Sequence, residues 1–131
     1  MLGAIKSLWE NLKARQYRGS RIEYDADRLA LYRYVGKNSK LVRQTKWREI
    51  NAVFAFKWDC YTVDQIRLAI ETLEDGAFVL TEDDEGWDLL SKNLDALLPG
   101  CRPFNDWFSE VAFPAFETNW TQIYSKAARD D

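Results

Sequence analysis

Histidine does not occur in this sequence of 131 residues. The imidazole is the usual proton carrier near neutral pH, so Ser-His-Asp triads and Cys-His nucleophile pairs are excluded. Cysteine is scarce: Cys60 and Cys101 lie far apart, without zinc-type spacing. No secretory signal is visible, because Lys6 and Glu10 interrupt the N-terminal apolar stretch and no small-residue cleavage site follows. Both cysteines are therefore expected as free thiols in a reducing, cytoplasmic compartment. No apolar run approaches the roughly 20 residues that a membrane span needs, and the longest candidate, Ile50 to Phe56, contains Asn51. Gly36-Lys37 lacks both the upstream glycine and the following Ser/Thr of a phosphate loop, and no dinucleotide fingerprint occurs. These absences point away from cofactors, metals and enzymatic chemistry. Paired acids such as Asp83 and Asp84 keep a carboxylate-based enzyme as the alternative.

What the chain does have is apolar and aromatic mass. Hydrophobic residues make up 47% and aromatics 15%, with six tryptophans, enough to offset the ordering entropy of one domain over 1–131. Charge is unevenly spread. Residues 1–70 carry 14 Lys/Arg against 7 Asp/Glu, and residues 71–131 carry 4 against 14. Either the two parts fold together with complementary fields, or one charged face recruits a partner. The acidic whole and the scattered basic residues argue against nucleic acid.

Ile5, Leu8, Trp9 and Leu12 fall at helical spacing and predict an amphipathic helix over 2–16, ending before Gly19. From Arg21 the period becomes two. Strands are expected at Arg21–Tyr24, Leu29–Tyr34 and Leu41–Thr45, separated by Asp25-Ala26-Asp27 and Gly36-Lys37-Asn38-Ser39. Trp47 to Ile50 is a tight turn. Asn51 to Trp58 then runs extended, with Ala52, Phe54, Phe56 and Trp58 on one face and Val53, Ala55 and Lys57 on the other. Asp59 to Asp64 is read as the connection. Ile66 to Leu73 fits both periods, and the Asp75-Gly76 turn into Ala77–Leu80 decides for a strand. Trp87, Leu90, Leu94, Leu97 and Leu98 mark a helix over 85–98, stopped by Pro99-Gly100, with the acids at 82–85 placed to favour its dipole. A shorter helix is expected from Asn105 through Val111, and Phe116, Trp120, Ile123 and Tyr124 continue the apolar pattern. Residues 99–125 form a C-terminal extension and 126–131 a frayed tail. The sequon at Asn119-Trp120-Thr121 is taken as chance.

The predicted fold is α+β: a bent antiparallel sheet of about six strands within 21–98, closed by the helix at 85–98. Helices at the N-terminus (within 1–18) and C-terminus flank it. The expected core is Trp47, Ile50, Val53, Ile66, Leu68, Phe78, Trp87, Leu90, Leu94 and Trp107. Two groups are candidate sites. Trp58, Asp59, Tyr61 and Asp64 close the stretch "FAFKWDCYTVDQI", where aromatic anchors beside acids suit a protein partner; the bland alternative is a loop whose acids bond nearby backbone. Lys37, Lys40 and Arg43 surround one turn and could meet an anion or a membrane surface, with the 2–16 helix as a second membrane contact.

Trp47-Arg48-Glu49-Ile50 followed by Val53 gives the spacing W-x-x-I-x-x-V. In this corner, and in the order of strands followed by a closing helix, the chain resembles pleckstrin-homology-like (PH-like) domains over about 80 residues. The resemblance implies a partial barrel closed by a C-terminal helix. Lipid binding in such domains uses a basic loop pocket, to which Lys37, Lys40 and Arg43 would correspond. The motifs "AFKWD", "TVDQI", "EDDEGW", "LLPG", "W…VAFPAF" and "NWTQIY" also resemble, in the same order, a family of small uncharacterised bacterial proteins. That resemblance implies a fold and a bacterial source, and no catalytic residues. The expected function is a non-enzymatic protein-binding module, immunity-like towards a toxin, with a membrane-surface module as the alternative.

Overall fold

The computed structural model describes residues 19–60, 63–113 and 117–127, apart from the side chains of Asp59, Cys60 and Val63. The helix expected over 2–16 lies outside the described residues. Strand alternation sets in at once. β1 (Ser20–Tyr24), β2 (Arg28–Val35) and β3 (Asn38–Lys46) form an antiparallel meander in the order β1-β2-β3. Its first turn is held by one carboxylate: Asp25 Oδ1 accepts from the backbone N–H groups of Asp27 at 2.8 Å and Arg28 at 2.9 Å. This is why an acid opens the turn. The second turn is Gly36-Lys37, and Gly36 takes φ 62°, the left-handed first position of a two-residue hairpin loop. The register shifts between Tyr32↔Leu41 and Leu31↔Arg43, leaving Val42 as an extra residue.

The W-x-x-I-x-x-V spacing is a corner. Trp47–Glu49 is a single 3-10 turn after which the chain leaves the first sheet. The Trp47 indole is buried and donates Nε1–H to the Asp25 carbonyl at 2.8 Å, while the Trp47 backbone N–H donates to the Asp27 carbonyl at 3.2 Å. One side chain thus ties the β3–β4 corner to the β1–β2 turn. Beyond it, β4 (Ile50–Cys60), β5 (Val63–Thr72) and β6 (Ala77–Thr81) make a second antiparallel meander. The helices α1 (Trp87–Leu97) and α2 (Phe104–Ala112) follow, and β7 (Thr121–Ser125) returns to pair with β4. The second sheet therefore runs β6-β5-β4-β7.

This corrects three expectations. In place of one bent sheet of about six strands there are two sheets with seven strands among the described residues. The seventh is "TQIYS", which supplies β4 with the second hydrogen-bonding neighbour that a buried central strand requires. The segment Asp59 to Asp64 is not a six-residue connection. The pairs Asp59↔Asp64 and Cys60↔Val63 belong to the hairpin ladder, and only residues 61–62 intervene. The strand reading of Ile66–Leu73 agrees with β5.

Ile22, Leu29 and Leu31 of the first sheet join Val53, Ala55, Leu68, Ile70 and Leu80 of the second in one buried cluster, with α1 and α2 closing it. All ten expected core residues are buried. α1 contributes Trp87, Leu90 and Leu94. Gly86 precedes it at φ 93°, and a Cβ there would stand 2.8 Å from the Ile22 carbonyl oxygen. Only glycine allows so close an approach of α1 to β1.

Candidate functional site: the outer face of the second sheet

Adjacent positions of β4 point to opposite faces. Val53, Ala55 and Lys57 turn inward and pair with Ile70, Leu68 and Ile66. Phe54, Phe56 and Trp58 turn outward, opposite Ala69, Arg67 and Gln65. The neighbouring β6 brings Val79 opposite Ala69 and Thr81 opposite Arg67. From the β7 side, Trp120 lays its ring flat on Phe56, with centroids 4.1 Å apart and planes 8° apart, and meets Phe54 edge-on at 6.2 Å. On the far side of Phe56, the Arg67 guanidinium lies 4.9 Å from the Trp58 ring centre. The result is a wall of rings. Trp58 is 52% exposed and Trp120 59% exposed, with Val79 also exposed. Each tryptophan is held by a stacking neighbour, so its ring is presented with few rotamers left to lose on binding.

The two candidate groups fare differently. Trp58 belongs to this outer wall. Asp64 belongs to the inner face, 3.6 Å from the Nζ of Lys57, whose residue is only 4% exposed. Lys57 Nζ also donates to the Ala112 carbonyl at 3.0 Å, and its backbone N–H donates to the Thr118 carbonyl at 2.8 Å. A cation at the last carbonyls of α2 is favoured by the helix dipole, so the Lys57–Asp64 pair fastens α2 to the sheet. Asp59 pairs with Asp64 in the ladder, its side chain lies outside the described residues, and so does Tyr61. Trp58 and Asp64 thus do not share a surface. The sequence reading missed Trp120, Phe54 and Val79. The signal for Phe54 was its alternation with Trp58; Trp120 carried none, because β7, the strand that follows it, was not recognised.

Lys37 sits at the tip of the β2–β3 hairpin and Lys40 follows on β3, both exposed. The extra residue at Val42 brings Arg43 onto the face shared with Lys40, through the partners Leu31 and Arg33. Arg43 is nevertheless engaged elsewhere. Its Nη2 donates to the Asp75 carbonyl at 2.6 Å and its guanidinium lies 5.2 Å from the Phe78 ring centre. It links the first sheet to the β5–β6 turn, leaving the two lysines as the exposed basic pair.

The acids at 82–85 also do something other than serve the helix dipole. α1 begins after them, at Trp87. Glu82 Oε1 accepts from the Ile66 N–H at 3.0 Å and Asp84 Oδ2 from the Thr81 N–H at 2.8 Å. Asp83 is bonded by the Gln65 amide and Glu85 by the Tyr34 hydroxyl. Partial burial raises the Asp84 carboxyl above its ordinary range, against the lowering effect of the Thr81 hydrogen bond. Among the described residues no three acids or cysteines stand together as a metal site. Cys101 is buried, and burial pushes its thiol up to about 12, where the nucleophilic thiolate is not formed at neutral pH. Asn119, at φ 49°, donates its side-chain amide to the Val111 and Phe113 carbonyls, both at 3.2 Å. A glycan there would replace a donor of that bonding.

A groove of about 560 Å³ lies between β1, β2 and the start of α1, lined by Tyr24, Asp25, Arg28, Tyr32 and Leu89 among others. Two of its polar side chains are engaged, Asp25 by turn amides and Arg28 by Gln44 Oε1 at 3.3 Å. No helix among the described residues is long and apolar enough to cross a membrane. No protein-family model, curated protein or solved structure matches the chain.

Proposed function

We propose that this chain is a non-enzymatic protein-binding module of the bacterial cytoplasm, on a PH-like plan, and that it binds through the outer face of the second sheet. One observation carries the reading: Trp58 and Trp120, both more than half exposed, stand on one face, Trp120 stacked on Phe56 and Trp58 under the Arg67 guanidinium. Tryptophan and arginine are the residues on which binding energy concentrates, and pre-ordered rings lower the entropy cost of association. Gln65, Arg67, Glu71 and Thr81 supply polar groups around them. The acidic balance of residues 71–131 suits a basic partner, as an immunity-like role towards a toxin would require.

Affinity capture from the source cell tests this. Wild type is expected to retain one dominant protein, and a Trp58→Ser/Trp120→Ser variant to lose it. Recovery of nothing above background, or equal recovery by both, refutes the reading. The membrane-surface alternative is weaker, since Arg43 is occupied by the Asp75 carbonyl and Phe78, which leaves Lys37 and Lys40 of that basic group for anionic lipid. Flotation with anionic vesicles that leaves the protein at the bottom of the gradient removes it.

A further inference from the structure

The first sheet ends on β3, and among the described residues no strand pairs with the outer edge of β3. The groups on that edge follow from the bonding of β1. The Ile22 N–H donates to the Glu85 carbonyl at 2.7 Å and the Ser20 carbonyl accepts from the Glu85 N–H at 2.9 Å, both away from β2, while the Tyr34 N–H donates to the Gly19 carbonyl at 3.1 Å. Ala30, Tyr32 and Tyr34 therefore direct their backbone groups towards β1, and Leu29, Leu31, Arg33 and Val35 direct theirs towards β3. The partners of these four are Thr45, Arg43, Lys40 and Asn38. Ser39, Leu41 and Gln44 are left with N–H and C=O groups turned outward, over about 17 Å of strand. Among the described residues none of these backbone groups has a hydrogen-bond partner. The opposite edge of the sheet differs, because the Glu85 backbone occupies part of it.

The side chains along this edge carry charge of one sign. β3 holds Lys40, Arg43 and Lys46 and no acid. Arg33 stands opposite Lys40 and Arg28 opposite Lys46, so each end of the edge has a pair of cations. Lys40 and Lys46 are exposed and form no ion pair among the described residues. Between them Leu41 and Val42 are exposed apolar side chains. The nearest acids of the sheet are already engaged, Glu23 by Arg21 and Asp25 by turn amides. A second copy laid antiparallel on β3 would set cation against cation, which is destabilising. A segment with acids at both ends and β-branched residues between them meets the opposite condition. Its ends find cations, its middle finds Leu41 and Val42, and its backbone finds the free edge.

We infer that the β3 edge takes an acidic, extended segment of a partner protein as an added strand, bonded through the backbone of Ser39, Leu41 and Gln44. The site belongs to the first sheet, so it does not rest on the function proposed above for the second. Amide hydrogen exchange in the full chain tests it, with the synthetic peptide Glu-Glu-Val-Thr-Val-Glu-Glu as probe. In the dilute free chain the Ser39, Leu41 and Gln44 amides are expected to exchange freely. Saturating peptide should slow them by about tenfold or more, and the peptide Lys-Lys-Val-Thr-Val-Lys-Lys should not. Two variants, each shown by its urea midpoint to be folded, separate strand addition from attraction of charge alone. Lys40→Glu/Lys46→Glu should lose the protection. Leu41→Pro should lose it too, since proline there removes an outward N–H and no ladder bond; if it does not fold, the lysine variant decides. Five results overturn the inference. The acidic peptide slows none of the three amides, or both peptides slow them equally. The amides are already protected in the dilute free chain, which places another part of the chain on the edge. Protection rises with protein concentration alone, which marks a second copy. Protection survives in either variant, which marks a contact made elsewhere or without the backbone.

Discussion

The inner and outer faces of the second sheet are both apolar, and they use apolarity differently. Along the inner face of β4 the side chains are modest, Val53 and Ala55, then the buried Lys57. They meet Leu68, Ile70 and Leu80, which interlock with the first sheet and with α1. Along the outer face they are large and flat, Phe54, Phe56 and Trp58, finished by Trp120. Aliphatic side chains fill a closed interior at high density. Rings that stack on each other or under an arginine keep their orientation while still presenting area to a partner. Apolar content alone would rank the outer face as the better core, yet it carries the exposed tryptophans.

The inner face should break first. Lys57→Ala leaves Asp64 without its Nζ partner and the α2 C-terminus without its cation, and is expected to cost about 3–5 kcal/mol, read as a lowered urea midpoint. Leu90→Ala, in the same core, should cost about 2–5 kcal/mol, and a midpoint indistinguishable from wild type would show that Leu90 does not pack there. Gly86→Ala tests the α1–β1 approach and should cost about 2 kcal/mol or more through its left-handed backbone and the Ile22 carbonyl.

The outer face should respond in the opposite sense. Trp58→Ser is expected to change stability by less than about 1 kcal/mol while abolishing partner capture, and a large loss of stability would move Trp58 into the core. The smallest effect is at the first turn. Two backbone hydrogen bonds hold the Asp25 carboxyl below the ordinary aspartate range. Its contribution is therefore complete above the ordinary aspartate pKa and is lost as pH falls from there through the depressed folded value. In acid titrations of the urea midpoint, Asp25→Asn should lack that component of the decline.

How far the sequence could be read depended on how local each signal was. The corner at Trp47 was legible because its fixed spacing describes a turn within a few residues. Ile66–Leu73 was legible because the Asp75-Gly76 turn next to it decided between two periods. β7 was not, since "TQIYS" becomes a strand only when β4 offers its edge, more than sixty residues earlier in the chain. The pairing of Trp58 with Asp64 as one site failed for a related reason. Residues across a hairpin share a face only in register, and that register sets Trp58 opposite Gln65 and Asp64 opposite Asp59.

By itself the sequence determined the α+β class, the ten core positions, the turn chemistry of Asp25 and Gly36, and the absence of histidine chemistry. All of these follow from composition or from neighbours within a turn or two of the backbone. The tertiary structure alone decided that there are two sheets, that Lys57 is buried against Asp64 and the end of α2, and that Trp120 joins Phe56 and Trp58 on one wall. Each of those depends on contacts between residues distant in the chain, and periodicity says which way a side chain points but not what it will meet.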